Sequence, residues 1–447
     1  MPSTSPIRER RRHLVERLSG DERHGQRWHL QVPCPGEPYR TARPLILVLG
    51  VPTLGLAFGI SVLTTYGPVV LARLTSSSTQ IGALIGGEGA FALAIPVVSG
   101  ALSDRLGGSP RRRRLPFVAA GAPLVAFGLV LLPFGHSYVL AGAAVLAFYV
   151  GYYLYYPPYR ALYADLLPRE LYARAQASQA VLRGSGLGVA LLAGGLLLGL
   201  WAPLPFLLAA AAVVAATLPL LQVLRLESDC PNETLPYRGG SVRALLADGG
   251  MRAFAAANAL WEFSFAGLKS FIVLYVVRGL GHSPAVASAV MAVVAVAYVV
   301  GAPVAGQLAD RYGLTRVLRI AATVYGAGLV AGVLPHTLLP MLVGLPFVAL
   351  AGAIVMTLPQ ALAFSLAPRG AEGAVAGLQD FSRGVGVVVG PIAVGAAVDA
   401  ARHTLTSTHG YAAMWLVIGV PVLASVLLLL RVREADGSTA RQNRTDG

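Results

Sequence analysis

The chain has 447 residues, of which 55% are hydrophobic and 13% charged, and its mean hydropathy is +0.65. Those values exclude an ordinary soluble protein of about three domains and define a membrane protein. The formal charge of +14 does not indicate a nucleic-acid partner, because the arginines lie in short connections and tails rather than on one soluble basic domain.

In chain order, residues 1–44 are polar, hold nine arginines and lack the apolar stretch of a signal peptide, which predicts a cytoplasmic tail. Apolar runs of about 20 residues follow, each long enough to cross a hydrocarbon core roughly 30 Å thick. The first six are expected at 45–70, 80–102, 115–133, 138–159, 176–200 and 204–224. A linker rich in polar residues, Pro and Gly occupies 225–250 and splits the chain near its middle. Six more spans are expected at 252–277, 284–306, 317–335, 338–366, 374–398 and 411–430, before a polar tail at 431–447. The predicted organisation is an N-terminal six-helix bundle over 45–224 and a C-terminal one over 251–430. Cys34 and Cys230 fall in the polar tail and linker, where neither a structural disulfide nor a metal site is expected.

The two halves repeat. Gly100-Ala-Leu102-Ser-Asp104-Arg105-Leu-Gly107 returns 206 positions later as Gly306-Gln-Leu308-Ala-Asp310-Arg311-Tyr-Gly313, each copy between two apolar runs. Arg183-Gly-Ser-Gly-Leu-Gly is echoed 200 positions on by Arg383-Gly-Val-Gly-Val-Val. Two parallel six-helix repeats are a known transporter plan, with the substrate held between them near the bilayer midplane. Arginine placement sets the expected orientation. With the N-terminus inside, the inner connections hold Arg105, Arg111 to Arg114, Arg169, Arg174, Arg311, Arg316 and Arg369, and the outer ones only Arg73, Arg278 and Arg402. Both termini are therefore expected in the cytoplasm of a cell whose inner or plasma membrane holds the protein.

The Gly-x-Leu-x-Asp-Arg-x-Gly loop, the duplication, the twelve spans and the central linker resemble the major facilitator superfamily. The resemblance implies an all-α fold of twelve transmembrane helices in two six-helix repeats, and secondary transport by alternating access. Within the family, Ser103-Asp104-Arg105 followed by Arg112-Arg113-Arg114-Leu115-Pro116-Phe117 resembles the sucrose and glycoside cation-symporter branch, as does Pro158-Tyr-Arg160-Ala161-Leu162-Tyr-Ala-Asp165-Leu166. That branch carries an intramembrane Asp followed by Asn-Asn in its fourth helix, where this chain has Tyr149, Tyr152 and Tyr153. Gly384-Val-Gly386-Val-Val-Val-Gly390-Pro391 resembles instead a Gly-Pro motif of drug-proton antiporters, although there it belongs to the fifth helix. Sugar or glycoside symport is thus the first expectation and efflux of a drug-like compound the second. A non-transporting sensor of the same fold is the third.

The resemblance also implies a cytoplasmic gate. Asp104 would face the N-terminus of span eleven while Arg105 and Arg160 tie the helices, with Asp165, Asp310 and Arg311 in related places. A turn that only caps helices is the bland alternative. Deep in the spans, a carboxylate is expensive unless paired, protonated or wet. Glu88 in span two is flanked by Gly86, Gly87 and Gly89, and Glu262 in span seven shares a face with Asn258 and with Lys269, the sole lysine. With Arg183 and Arg383 these are the candidates for coupling or binding, against the plainer reading of structural pairing; Glu262 with Lys269 and Glu88 with Arg183 are the expected pairs. Tyr149, Tyr152, Tyr153 and Tyr156 recur at helical spacing and would either stack on a ligand or, the preferred reading, form an interfacial aromatic belt with Tyr155 and Tyr159. No nucleotide, metal or nucleophile pattern is present, so no cofactor and no enzymatic activity are expected. The expected partners are the lipid bilayer, a small-molecule substrate and protons.

Overall fold

A computed structural model of the chain describes residues 42–106, 110–167, 171–226, 245–334, 337–367 and 372–432. The expected tails and most of the linker, with both cysteines, lie outside these residues. In the N-terminal half α1 spans Ala42–Leu71, α2 Ser78–Arg105, α3 Pro110–Leu131, α4 Tyr138–Leu166, α5 Tyr172–Leu200 and α6 Leu204–Leu226. In the C-terminal half α7 spans Gly249–Leu274, α8 Pro284–Tyr312, α9 Leu314–Ala331, α10 Leu338–Thr357, α11 Glu372–Ala401 and α12 Ala413–Leu429. Beyond a break at Leu358, α10 resumes as a short helix, Pro359–Ser365. Among the described residues there is no strand. Ten helical stretches are long and apolar enough to cross a membrane, with Ala413–Leu429 shorter.

Local chemistry explains where several helices begin. Outside a helix the first N–H groups lack partners, and a Ser, Thr or Asp side chain supplies one. Ser77 accepts from the Gln80 N–H, Ser137 from Leu140 and Asp248 from Met251. Ser283 does the same for Val286, with Pro284 at the first helical position, where its missing N–H is no loss. Gly313, alone between α8 and α9, has φ 87°, a conformation that accounts for glycine at the end of the repeated motif. Helix-interior prolines such as Pro52, Pro116 and Pro303 stand in the helices because neighbouring helices re-satisfy the freed groups.

Packing repeats as the sequence does. In the first half α1 lies on α5 and α6, and α3 on α4 and α6; in the second α7 lies on α11 and α12, and α9 on α10 and α12. The repeat is exact down to single glycines. A Cβ at Gly186 would lie 2.4 Å from the Leu54 carbonyl of α1, and one at Gly386, 200 positions on, 2.4 Å from the Ala259 carbonyl of α7. Each half has its own buried polar node. Tyr159 and Tyr163 both reach the Leu49 carbonyl with Thr53 beside them, and the Trp261 indole N–H donates to the Ser425 hydroxyl at 2.8 Å.

Among the described residues the halves meet chiefly through α2 with α11, α5 with α8, and α1 with α7, with a lesser contact of α2 with α7. Glycine lets the first pair meet backbone to backbone. A Cβ at Gly82 would stand 2.1 Å from the Pro391 carbonyl, at Gly86 2.7 Å from that of Val388, and at Gly89 2.4 Å from that of Gly384. All these contacts fall in the first half of α2, near the arginine-poor turns. Toward the arginine-rich turns, Val98 and Leu102 of α2 and Val181 of α5 are exposed, and Gly184 and Gly377 have no heavy atom where a Cβ would look for one. Among the described residues the backbone-to-backbone contacts between α2 and α11 lie toward one end, called here the closed end.

Candidate functional site

Glu88 on α2, Arg183 on α5, Glu262 on α7 and Arg383 on α11 come to one level of the molecule: Gly89 meets Gly384 next to Arg383, Gly386 meets Glu262, and Arg183 lies within electrostatic reach of the same tyrosine as Glu88 and Arg383. The site forms where the backbone-to-backbone seam ends. Gly86 and Gly89 draw α2 onto α11 on either side of Glu88, and Gly386 draws α11 onto α7, where its Cβ would lie 2.9 Å from that of Glu262.

The pairs differ from those expected. Glu262 faces Arg383, with Nε to Oε2 at 3.7 Å, and not Lys269. Lys269 stands two turns further along the same helix, about 10 Å away, beyond contact range. Glu88 accepts from the Tyr153 hydroxyl at 3.3 Å, and Arg183 instead donates to the Tyr156 hydroxyl and lies over its ring at 5.4 Å. Glu88 and Arg183 are on different helices, and α4 supplies the tyrosine that meets each. Among the described residues no hydrogen bond or ion pair holds Lys269, yet it lies within electrostatic reach of Glu88, Glu262 and Arg383. The side chains of Arg383 and Glu262 are 52% and 20% accessible, so this pair does not sit in dry packing.

Asn258 is spent on the C-terminal half itself: its amide donates to the Ser382 hydroxyl at 2.8 Å and to the Gln379 carbonyl at 3.3 Å, fastening α7 to α11. The tyrosines of α4 do not form a lipid-facing belt. Tyr149, Tyr155 and Tyr159 are fully buried and Tyr152 and Tyr153 nearly so. Tyr149 donates to the Ile85 carbonyl, Tyr155 shares a hydrogen bond with Thr217, and Tyr159 one with Thr53. Helical spacing put them on related faces, but α1, α2 and α6 cover those faces, and only Tyr152 and Tyr156, stacked at 5.4 Å, continue toward Arg183. Two groups went unnoticed in the sequence: Asp380, one turn before Arg383, and Tyr298 of α8, both within electrostatic reach of Glu262 and Arg383. The i, i+3 spacing of Asp380 and Arg383 was a usable signal; nothing marked Tyr298.

Of the expected gate, the side chains of Asp104, Arg105 and Asp165 lie outside the described residues. Arg160 is exposed and sits over the Tyr156 ring at 5.7 Å, and Asp310 and Arg311 are exposed, Arg311 over its neighbour Tyr312. Arg114, at the start of α3, is buried and donates to the Ser103 hydroxyl at 2.8 Å, so the last arginine of the run ties α3 to the end of α2. The Gly-rich run of α11 has a packing explanation: Gly384 meets Leu93 of α2, and Gly386 and Gly390 meet the α7 backbone at Ala259 and Phe263.

Two packed six-helix halves with charged side chains where α2, α7 and α11 meet define a membrane transporter fold. The chain belongs to the Major Facilitator Superfamily, whose sequence pattern matches residues 16–191 and 254–446. No curated protein sequence matches the chain at a significant level. Solved structures share the fold at low identity. A bacterial homologue of the human lysosomal transporter Spinster, inward-facing and unoccupied, aligns with a TM-score of 0.68 at 17% identity over 88% of this chain and 96% of that one. The nucleoside transporter NupG aligns at 0.68 and 15% identity, over 87% and 98%. A POT family transporter in complex with a thioalcohol conjugated peptide aligns at 0.64 and 12% identity, over 87% and 95%.

Proposed function

We propose that the protein is a proton-coupled secondary active transporter of a small organic solute, sited in the cell membrane with both tails in the cytoplasm. The observation that carries this reading is the placement of two carboxylates, Glu88 bonded to Tyr153 and Glu262 paired with Arg383, where α2, α11 and α7 meet between the halves. A carboxyl that is ionised beside its cation and protonated when the cation moves away links proton binding to conformation. With the arginine-rich turns on the cytoplasmic side, the arrangement described is inward-facing. Glu88 and Glu262 then take the place of the fourth-helix aspartate that Tyr149 replaces. Sugars and glycosides rank first as substrates on the two short sequence matches. Efflux of an aromatic, drug-like compound is the second reading, favoured by the Tyr152–Tyr156 stack beside Arg183.

The test is transport in proteoliposomes against a panel of sugars, glycosides and amphiphilic drugs. Glu88→Gln or Glu262→Gln should abolish accumulation driven by a proton gradient while leaving solute exchange, which moves no net proton. Accumulation that survives in both single variants and in the double variant rules out proton coupling through these residues.

A further inference from the structure

Asp399 stands in the last turn of α11, at the closed end, and its carboxylate crosses to the other half of the molecule. Oδ1 accepts from the backbone N–H of Ser78 at 2.8 Å. Oδ2 accepts from the backbone N–H of Thr79 at 2.8 Å, from the Thr79 hydroxyl at 2.7 Å and from the Ser77 hydroxyl at 2.9 Å. Arg402 holds Oδ1 at 3.0 Å from its own helix and donates to the Ser76 carbonyl. The first turn of a helix presents N–H groups without intrahelical partners and the positive end of the helix dipole. Helices ordinarily meet both needs from their own preceding residues, and Ser77 does so for Gln80. For Ser78 and Thr79 the cap comes from a residue 320 positions away in the opposite half.

No separation of α2 from α11 at this end preserves those four contacts, since hydrogen bonds to a carboxylate fail within about an ångström of stretch. The side chain of Asp399 is also 26% accessible, so on release water takes over its hydration and the cost of an uncompensated buried charge is not incurred. We propose that Asp399 is a gating residue: it caps α2 in the state described, loses α2 when this end opens, and thereby sets the balance between the two states of the transport cycle. The proposal rests on the alternating-access reading above. It adds a second gate, at the opposite end from the Asp104 turn, built on a helix cap shared between halves.

The experiment measures the closed end directly. In full-length protein with Cys34 and Cys230 replaced by Ser, spin labels at Arg73→Cys and His403→Cys, both exposed and on opposite halves, report their separation by dipolar spectroscopy in nanodiscs. Asp399→Ala and Asp399→Asn should raise the population with this end open by about tenfold. Thr79→Val, which removes one hydroxyl donor and is the mildest change to folding, should move it the same way by about threefold. If all three variants keep the wild-type distance distribution within about twofold, the latch is overturned whatever solute the protein carries. Failure of the transport reading would look different: distances that shift as described in a protein that catalyses no flux.

Discussion

Exchange of the two halves turns the α2–α11 seam into the α8–α5 seam, and residue by residue the two begin alike. A Cβ at Gly395 would lie 2.3 Å from the Ser78 carbonyl, and one at Gly195, its repeat partner, 2.2 Å from that of Pro284, the repeat partner of Ser78. Then they diverge. Gly82 has become Ser288, whose hydroxyl accepts the Gly195 N–H at 2.7 Å and lies 3.3 Å from the Tyr66 hydroxyl, while Tyr66 also donates to the Leu191 carbonyl. Asp399 has become Gly199, with nothing near it. The neutral node is buried, with Ser288 at 2% exposure and Tyr66 at 0%, whereas the Asp399 side chain keeps contact with solvent. A buried hydroxyl that swaps one partner for another costs little, but a buried carboxylate that loses its partners costs several kcal/mol. The molecule places its charged contact where water waits and its neutral one where water does not reach.

Breaking the glycine seam should have the largest effect. At Gly82→Leu the side chain meets the backbone of Pro391, which has no rotamer to give, and overpacking costs about 1–3 kcal/mol against the closed arrangement. The Arg73–His403 distance should lengthen and transport should fall by about tenfold to a hundredfold. Gly87→Ala, five positions on and facing open space, is the control that should behave as wild type. A smaller effect is expected on the other seam. Ser288→Ala removes the hydroxyl that meets both Gly195 and Tyr66, a net loss of about 1 kcal/mol, and should open the α5–α8 end roughly fivefold, read between labels at Leu200 and His282. An effect as large as that of Gly82→Leu would show that the hydroxyl node, not the glycine row, holds the halves together. The smallest effect sharpens the comparison: Gly199→Asp places an acid where Asp399 has its repeat partner, yet Pro284 has no N–H to offer and Ser283 already caps α8. The Leu200–His282 distance should stay within about twofold of the wild-type population, and a marked closure would show that a carboxylate alone makes the latch.

Most of the spans and the doubling were legible because hydropathy and the Gly-x-Leu-x-Asp-Arg-x-Gly repeat are properties of the chain itself. Helix ends were less so. α3 begins at Pro110, so that it takes in the whole arginine run, and a span expected without interruption from 338 to 366 breaks at Leu358, before Pro359. Glu88 and Glu262 were singled out by the cost of burying charge, and Arg183 and Arg383 by their places in the repeat, arguments that need no coordinates. Their partners were not, because spacing measures distance along one helix only, and Arg383 reaches Glu262, and Tyr153 reaches Glu88, from others. The tyrosines of α4 illustrate the same limit: periodicity names a face without naming what covers it. Asp399 escaped notice altogether, since an acid at the end of a span is cheap and its role depends on a helix start 320 residues earlier.

The glycine row of α2 bears on speed as well as closure. Interlocked side chains must be withdrawn through crowded rotamers before two helices part, and each withdrawal raises the activation barrier. Along Gly82, Gly86 and Gly89 there is less to withdraw, because the nearest atoms across the seam are backbone carbonyls, with Val388 the side chain that also meets Gly89. Such a surface separates in a single motion, so the lifetime of the closed arrangement depends chiefly on how long Asp399 keeps hold of Ser78 and Thr79. Weakening that hold would shorten each dwell and, wherever opening limits turnover, make the protein cycle faster while leaving it less often closed.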